Sequence, residues 1–228
     1  MMAAAGRNRS TFAIVVSVIV IAAVVAIGAV VVWMNNTARE PVAAPAAGTI
    51  NQETGAITVG DSGKTLDIYA DFMCPFCGNF EKSWGDDMAE AVESGDLTLA
   101  IYPVGLLDSQ SQGTEYSTRA ANALYCVTEE DADAAYPYYN RLFEKQPREG
   151  TPGLDDEELI SIAKDVGVES DAFESCVTER SHADFVAQVS DALPENPQTG
   201  GRGTPSVLLE GEWLNWQLPA DEELFPRL

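Results

Sequence analysis

The chain has 228 residues, with 13 basic and 36 acidic side chains, four cysteines and one histidine. Its formal charge of −23 argues against nucleic acid as a partner, since a polyanion is repelled by such a surface. Past the first 48 residues the imbalance is steeper, with 35 acidic against 10 basic residues, and its plainest reading is a solvated acidic surface.

Thr11 to Trp33 is 23 residues without a charge. A helix of that length spans about 30 Å of hydrocarbon. Arg7 and Arg9 precede it, so residues 1–10 read as a cytoplasmic tip and residues 11–33 as a transmembrane anchor. A cleaved signal peptide is the alternative. It needs a shorter apolar core followed at once by small residues, and Ala43 to Ala47 lie well past the run. On either reading the rest of the chain is outside the cytoplasm. Residues 34–48 read as a linker rich in Ala and Pro. Asn35-Asn36-Thr37 matches a glycosylation acceptor, a pattern common by chance.

Residues 49–228 suit one globular domain. Ala56 to Gly60 reads as a short strand and Asp61-Ser62-Gly63-Lys64 as a turn. Thr65 to Ala70 reads as a central strand. A helix follows, with Cys77, Phe80, Trp84, Met88 and Val92 on one face, and Gly95-Asp96 ends it. Leu97 to Tyr102 is the next strand, stopped by Pro103. A helical stretch of nearly 80 residues then interrupts the sheet, an insertion at about 113–194. Within it Pro137 opens one helix, Asp155-Asp156-Glu157-Glu158 forms the acidic first turn of another, and His182 reads as an exposed helix residue. Ser206 to Leu209 and Trp213 to Trp216 read as a closing hairpin, and Pro219 to Phe225 as a short terminal helix.

The chemistry concentrates where the central strand meets its helix, at Cys74-Pro75-Phe76-Cys77. Cys74 stands at the N-cap position and Pro75 at the first helical position, where no N–H is needed. The free N–H groups and positive dipole end of the helix favour a thiolate at Cys74. The thiolate is the species that attacks disulfides. Cys74 is therefore the expected attacking cysteine, and Cys77, one turn in, the shielded one that resolves a mixed disulfide. A structural disulfide or half a zinc site remains as the bland alternative. Zinc wants about four ligands, the other cysteines, Cys126 and Cys176, stand alone, and His182 is the only histidine, so no metal is expected. Cys126 and Cys176 form the remaining even pair, and in an oxidising compartment they are expected to be bonded to each other, with two buried free thiols as the alternative. Glu81 lies four residues after Cys77 on the same helix face and is either a proton relay or a solvated surface residue.

Asp71-Phe72, the four residues from Cys74 to Cys77 and Phe80-Glu81 resemble the DsbA-like branch of the thioredoxin superfamily. Gly203-Thr204-Pro205-Ser206 and the stretch from Tyr138 to Pro147 resemble it again, so the likeness runs from about Ile57 to the C-terminus. It implies an α/β thioredoxin fold, a central mixed sheet flanked by helices with an inserted helical subdomain. It implies a cis Thr204-Pro205 bond lying against the cysteines, whose backbone pairs with an extended substrate by strand addition. It implies no cofactor, unfolded or partly folded exported proteins as substrates, and a membrane partner linked to quinone for reoxidation. The chain also departs from the pattern. Many members carry histidine where Phe76 stands, and related proteins bury a carboxylate where Ile68 stands, so neither aid to the cysteines is present. Phe76 is left as either an apolar contact for substrate or simple packing.

The function expected from these residues is an extracytoplasmic protein disulfide oxidoreductase running as an oxidase. The same site run in reverse, as a reductase or isomerase, is the nearest alternative. A non-catalytic chaperone or metal-delivery module of the same fold is a third.

Overall fold

The computed structural model describes residues 7–37, 45–61 and 63–228. Residues 1–6 of the expected tip, residues 38–44 of the expected linker and Ser62 of the expected turn lie outside the described residues. The chain divides into two units, 1–41 and 42–228. In the first, helix α1 (Arg7–Thr37) is continuous. Its stretch Phe12–Val30 has a mean hydropathy of 3.1 and buries none of its side chains in protein. Nineteen residues at 1.5 Å each give roughly 28 Å, the length of a membrane span. Asn35 to Thr37, expected in the linker, are helical instead, because each residue added to a formed helix gains one hydrogen bond.

The second unit is built on one five-stranded sheet with spatial order β1-β3-β2-β4-β5. The strands are β1 (Ile57–Val59), β2 (Lys64–Ala70), β3 (Leu97–Pro103), β4 (Ser206–Leu209) and β5 (Glu212–Trp213). Only β2 and β3 are parallel, with Leu66 opposite Leu99 and Ile68 opposite Ile101. A parallel pair needs a crossover, and helix α2 (Pro75–Glu93) supplies it. Leu66, Ile68 and Ala70 alternate into the core, while Asp67 points the other way and accepts a 2.9 Å hydrogen bond from the Tyr102 hydroxyl. Helix α2 buries Cys77, Phe80, Trp84, Met88 and Ala91. The Trp84 indole N–H donates to the Leu218 carbonyl at 2.9 Å, which pins the C-terminal loop to that helix.

Five helices fill the interval between β3 and β4: α3 (Tyr116–Glu130), α4 (Ala135–Glu144), α5 (Asp156–Asp165), α6 (Asp171–Thr178) and α7 (Ala183–Asp191). Helix α4 starts two residues before Pro137, which still falls in the first turn where its missing N–H costs nothing. Asp155 caps α5 through a reciprocal pair with Glu158. Helix α3 is the hub of this group and is buried along most of its length. Its Arg119 holds the Thr114 and Leu154 carbonyls and the Asp156 carboxylate.

Two further expectations are corrected by the structure. His182 is not an exposed helix residue: it is the buried N-cap of α7, with its backbone N–H on Asn122 Oδ1 at 2.7 Å and its ring on Glu129. Strand β5 stops at Trp213, because the chain leaves the ladder after the Leu214 N–H bonds the Val207 carbonyl and turns at Asn215. Trp216 is thereby freed from the hairpin. The expected short terminal helix is present as α8 (Ala220–Glu223).

Candidate active site

Strand β2 ends at Ala70 and the chain turns sharply before α2. Asp71 makes that turn. One carboxylate oxygen accepts from the Met73 N–H at 2.8 Å and the Ser117 hydroxyl at 2.7 Å, and the other accepts from the Leu107 N–H at 2.9 Å. Its carbonyl accepts from the Cys74 N–H at 3.0 Å. Asp71 is fully buried, so desolvation pushes its carboxyl up to about 6 although all three donors pull it down. It ties the cysteine turn to α3 and to the loop after β3.

Cys74 is the N-cap of α2 and Pro75 its first residue. The Cys74 carbonyl is gripped from outside the helix by the Gln146 amide, which donates to it at 2.9 Å and to the Phe72 carbonyl at 3.2 Å. Gly78 makes room for that grip, since a Cβ there would stand 2.2 Å from Gln146 Oε1. The Thr204–Pro205 peptide bond is cis, and Cys74 Sγ lies 3.4 Å from the Thr204 carbonyl oxygen. Cys74, Pro75, Phe76, Cys77, Thr204 and Pro205 are thus brought to one place from opposite ends of the domain.

Both cysteines are free, and their environments pull them apart. The Cys77 thiol, then Thr204, then the N–H groups of Cys77 and Phe76 favour the Cys74 thiolate, and they outweigh burial to bring its pKa down to about 6. Cys77 is sealed inside, and desolvation followed by the neighbouring Cys74 pushes its thiol well above the ordinary cysteine range. Phe76 is 57 % exposed, with its ring 6.4 Å from Trp216. Trp213 joins Thr204 and Pro205 around a depression of about 250 Å³.

Glu81 is neither a freely solvated surface residue nor in contact with a charge partner. It lines a cleft of about 510 Å³ with Asn140, Glu144 and Gln146, yet its Oε2 is buried without a completed hydrogen bond. Burial pushes its pKa up to about 7; the Tyr139 hydroxyl nearby pulls it back only in part. Tyr139 is itself fully buried and shares the electrostatic field of Glu81 and Cys77. Asp71, Gln146, Ser117 and Tyr139 carry no role in the sequence reading. Asp71, Tyr139 and Gln146 fall inside the stretches of family likeness, a usable signal; Ser117 carries none.

Cys126 and Cys176 are bonded to each other, joining α3 to α6 across 50 residues with Cα atoms 5.9 Å apart.

Comparison with known proteins agrees with this geometry. The family profile described as Thioredoxin matches residues 53–224. The serine/threonine-protein kinase PknE of Mycobacterium tuberculosis H37Rv is 34 % identical over 163 residues, which are 68 % of this chain and 28 % of the kinase. The chain therefore spans well under a third of the curated relatives it matches. The reduced disulfide bond oxidoreductase DsbG of M. tuberculosis superposes with a TM-score of 0.64 at 28 % identity, covering 73 % of this chain and 83 % of that one. Reduced DsbA of the same organism gives 0.63 at 27 %, covering 73 % and 88 %. The thiol-disulfide oxidoreductase MdbA of Corynebacterium matruchotii gives 0.60 at 21 %, covering 77 % and 89 %, a likeness of fold.

Proposed function

We propose, from the premise that this chain belongs to the thioredoxin family and is a protein disulfide oxidoreductase, that it is an oxidase which puts disulfides into exported proteins from a membrane tether. The observation that carries this reading is the unequal placing of the two sulfurs: Cys74 at the N-cap of α2, 3.4 Å from the Thr204 carbonyl of the cis-proline loop and with its pKa lowered, and Cys77 sealed inside with its pKa raised. A stabilised thiolate stabilises the reduced form, and a stable reduced form makes the disulfide a strong oxidant.

The cycle starts from the Cys74–Cys77 disulfide. A substrate thiolate attacks Cys74 Sγ, the intramolecular S–S bond breaks, and the electron pair leaves on Cys77 Sγ, which takes up a proton. A second substrate thiolate then attacks its own sulfur in the mixed disulfide. The substrate S–S bond forms and Cys74 departs as thiolate, a good leaving group because its pKa is low. Two electrons have passed from substrate to the pair, and a quinone-linked membrane partner removes them. Glu81, with its pKa raised to about 7 by burial, is the group that supplies or takes the Cys77 proton. Thr204 and Pro205 hold the substrate backbone, and exposed Phe76 with Trp216 beside it offers an apolar rim for unfolded chain.

Helix α1 serves as an uncleaved anchor. Arg7 and Arg9 ahead of its apolar stretch keep the N-terminus in the cytoplasm and place the domain outside.

The test is the reduction potential of the Cys74–Cys77 pair by equilibration with glutathione. An oxidase of this kind is expected above about −180 mV, toward the roughly −120 mV of a strong oxidant. A value near about −270 mV, that of a thioredoxin reductant, overturns the oxidase reading and favours the reverse reaction.

A further inference from the structure

Cys126 lies on α3 and Cys176 on α6, and the chain that follows α6 carries His182 back beside them. One sulfur from each cysteine and one imidazole nitrogen lie within 4.8 Å of one another. The site around them is built rather than incidental. His182 is buried, and its Nε2 lies 2.7 Å from Glu129 Oε2. Its backbone N–H donates to Asn122 Oδ1 at 2.7 Å, and Asn122 Nδ2 donates to the Cys176 carbonyl at 3.3 Å and approaches Cys126 Sγ at 3.6 Å. Tyr125 closes one side with its ring at 73° to the imidazole.

Two thiolates and an imidazole are a zinc donor set; magnesium and calcium prefer oxygen. Tetrahedral zinc takes sulfur at about 2.3 Å and nitrogen at about 2.0 Å, which sets neighbouring ligand atoms roughly 3.3–3.8 Å apart. The three donor atoms already lie within 4.8 Å of one another, and opening the disulfide lets the two sulfurs part toward that spacing. A zinc-bound histidine typically gives its other ring N–H to a carboxylate, which fixes its orientation. Glu129 already occupies that place, on the same helix as Cys126.

We propose that the chain with Cys126 and Cys176 reduced binds one zinc ion through those two sulfurs and His182, with Glu129 holding the imidazole and water as the fourth ligand. The α3–α6 staple is then a disulfide in the oxidised protein and a metal ion in the reduced one. Reduction by a dithiol delivers two electrons and two protons and gives two thiols, and zinc displaces the two protons. Exchange with an oxidised disulfide takes the two electrons back, forms the Cys126–Cys176 bond, releases the ion, and leaves two new thiols that have picked up two protons. A chain not yet oxidised thereby keeps its helical subdomain tied together.

The experiment uses the full chain in detergent with Cys74→Ser and Cys77→Ser, so that the other pair cannot ligate. The protein is reduced with a phosphine, exchanged into zinc without oxygen, freed of excess metal and analysed by elemental mass spectrometry. One zinc per reduced chain and none per oxidised chain is expected. Cobalt in its place should show the thiolate charge-transfer and visible bands of a tetrahedral site. Cys176→Ser should abolish binding, His182→Ala should weaken it at least about tenfold, and Glu129→Gln about 10- to 100-fold. Circular dichroism of each variant separates lost ligation from lost fold. Where His182→Ala does not fold, Glu129→Gln carries the comparison. Substoichiometric zinc in the reduced protein, folded or unfolded, overturns the proposal, as does zinc held with unchanged affinity by both variants. Neither result bears on the oxidase reading, because the active-site sulfurs are absent from the assay.

Discussion

The two cysteine pairs of this protein differ less in chemistry than in where they sit on their helices. Cys74 stands at the start of α2, where the first N–H groups have no carbonyl one turn earlier to bond, and that end of the helix supports a negative sulfur. Cys126 lies inside α3, whose amides are spent on its own hydrogen bonds, and Cys176 lies near the negative end of α6. The first pair is left unbonded with unlike sulfurs, and the second is bonded across 50 residues. A cysteine's position along its helix therefore separates the sulfur with the lowered pKa from the bonded staple.

The sharpest way to break this contrast is to exchange the losses. Cys74→Ser should bring thiol–disulfide exchange with a reduced, unfolded substrate down to the uncatalysed rate and leave the unfolding midpoint nearly unmoved. Cys126→Ser combined with Cys176→Ser should do the reverse. Exchange stays close to the parent rate, while stability falls by about 4 kcal/mol in the chain-entropy account of a 50-residue loop, read by urea unfolding. A double variant that is stable but inactive would show that the second pair serves the chemistry, and the distinction would collapse.

Glu81 tests whether the reactive end is tuned by burial. Its carboxyl rises from an ordinary 4.5 to about 7 in the folded protein. The folded state therefore holds a proton that the unfolded state has lost over that range, and the cost of burying the charge is fully present above about pH 7 and relieved as pH falls toward 4.5. Glu81→Gln carries no such cost. It should gain stability over the parent at pH 8, by about 3 kcal/mol at most, and lose that advantage by about pH 4.5. Urea unfolding at the two ends of the range decides it; equal gains at both ends would mean that the carboxyl is not desolvated as described.

Phe76 gives the finest adjustment. It is exposed and brings neither charge nor hydrogen-bond donor to Cys74. Phe76→His adds both and should lower the Cys74 pKa and raise the reduction potential, by about 30 mV for each 1.4 kcal/mol of added thiolate stabilisation. Thiolate absorbance and glutathione equilibration read the two quantities. An unchanged or higher pKa in the variant would remove position 76 from the determinants of this site.

Much of the reactive pair was legible in the chain itself, because its determinants are local. An apolar strand, a cysteine at an N-cap, proline at the first helical position and apolar residues every three or four positions all act within about 25 residues, and the structure has β2 and α2 at Lys64–Ala70 and Pro75–Glu93. The uncharged run at the N-terminus is legible for the same reason, since hydropathy needs no partner to be counted. What depends on partners was not. Glu81 reads equally well as solvated or as a relay until α4 covers it and Tyr139 faces it. Asp71 is one acidic residue among many until its three donors arrive from Met73, Leu107 and Ser117.

His182 shows the division most plainly. On its own segment it is a polar residue just ahead of a helix, and exposure is the natural expectation. The packing of α3 against α6 and α7 brings Glu129, Asn122 and two cysteines around it. By itself the amino-acid sequence determined the short-range geometry of Cys74 and Cys77, through propensities and free amides within one strand and one turn. The tertiary structure alone decided the environments of Asp71, Glu81 and His182, because burial and hydrogen bonding depend on which distant segments pack there, and no spacing along the chain encodes that contact.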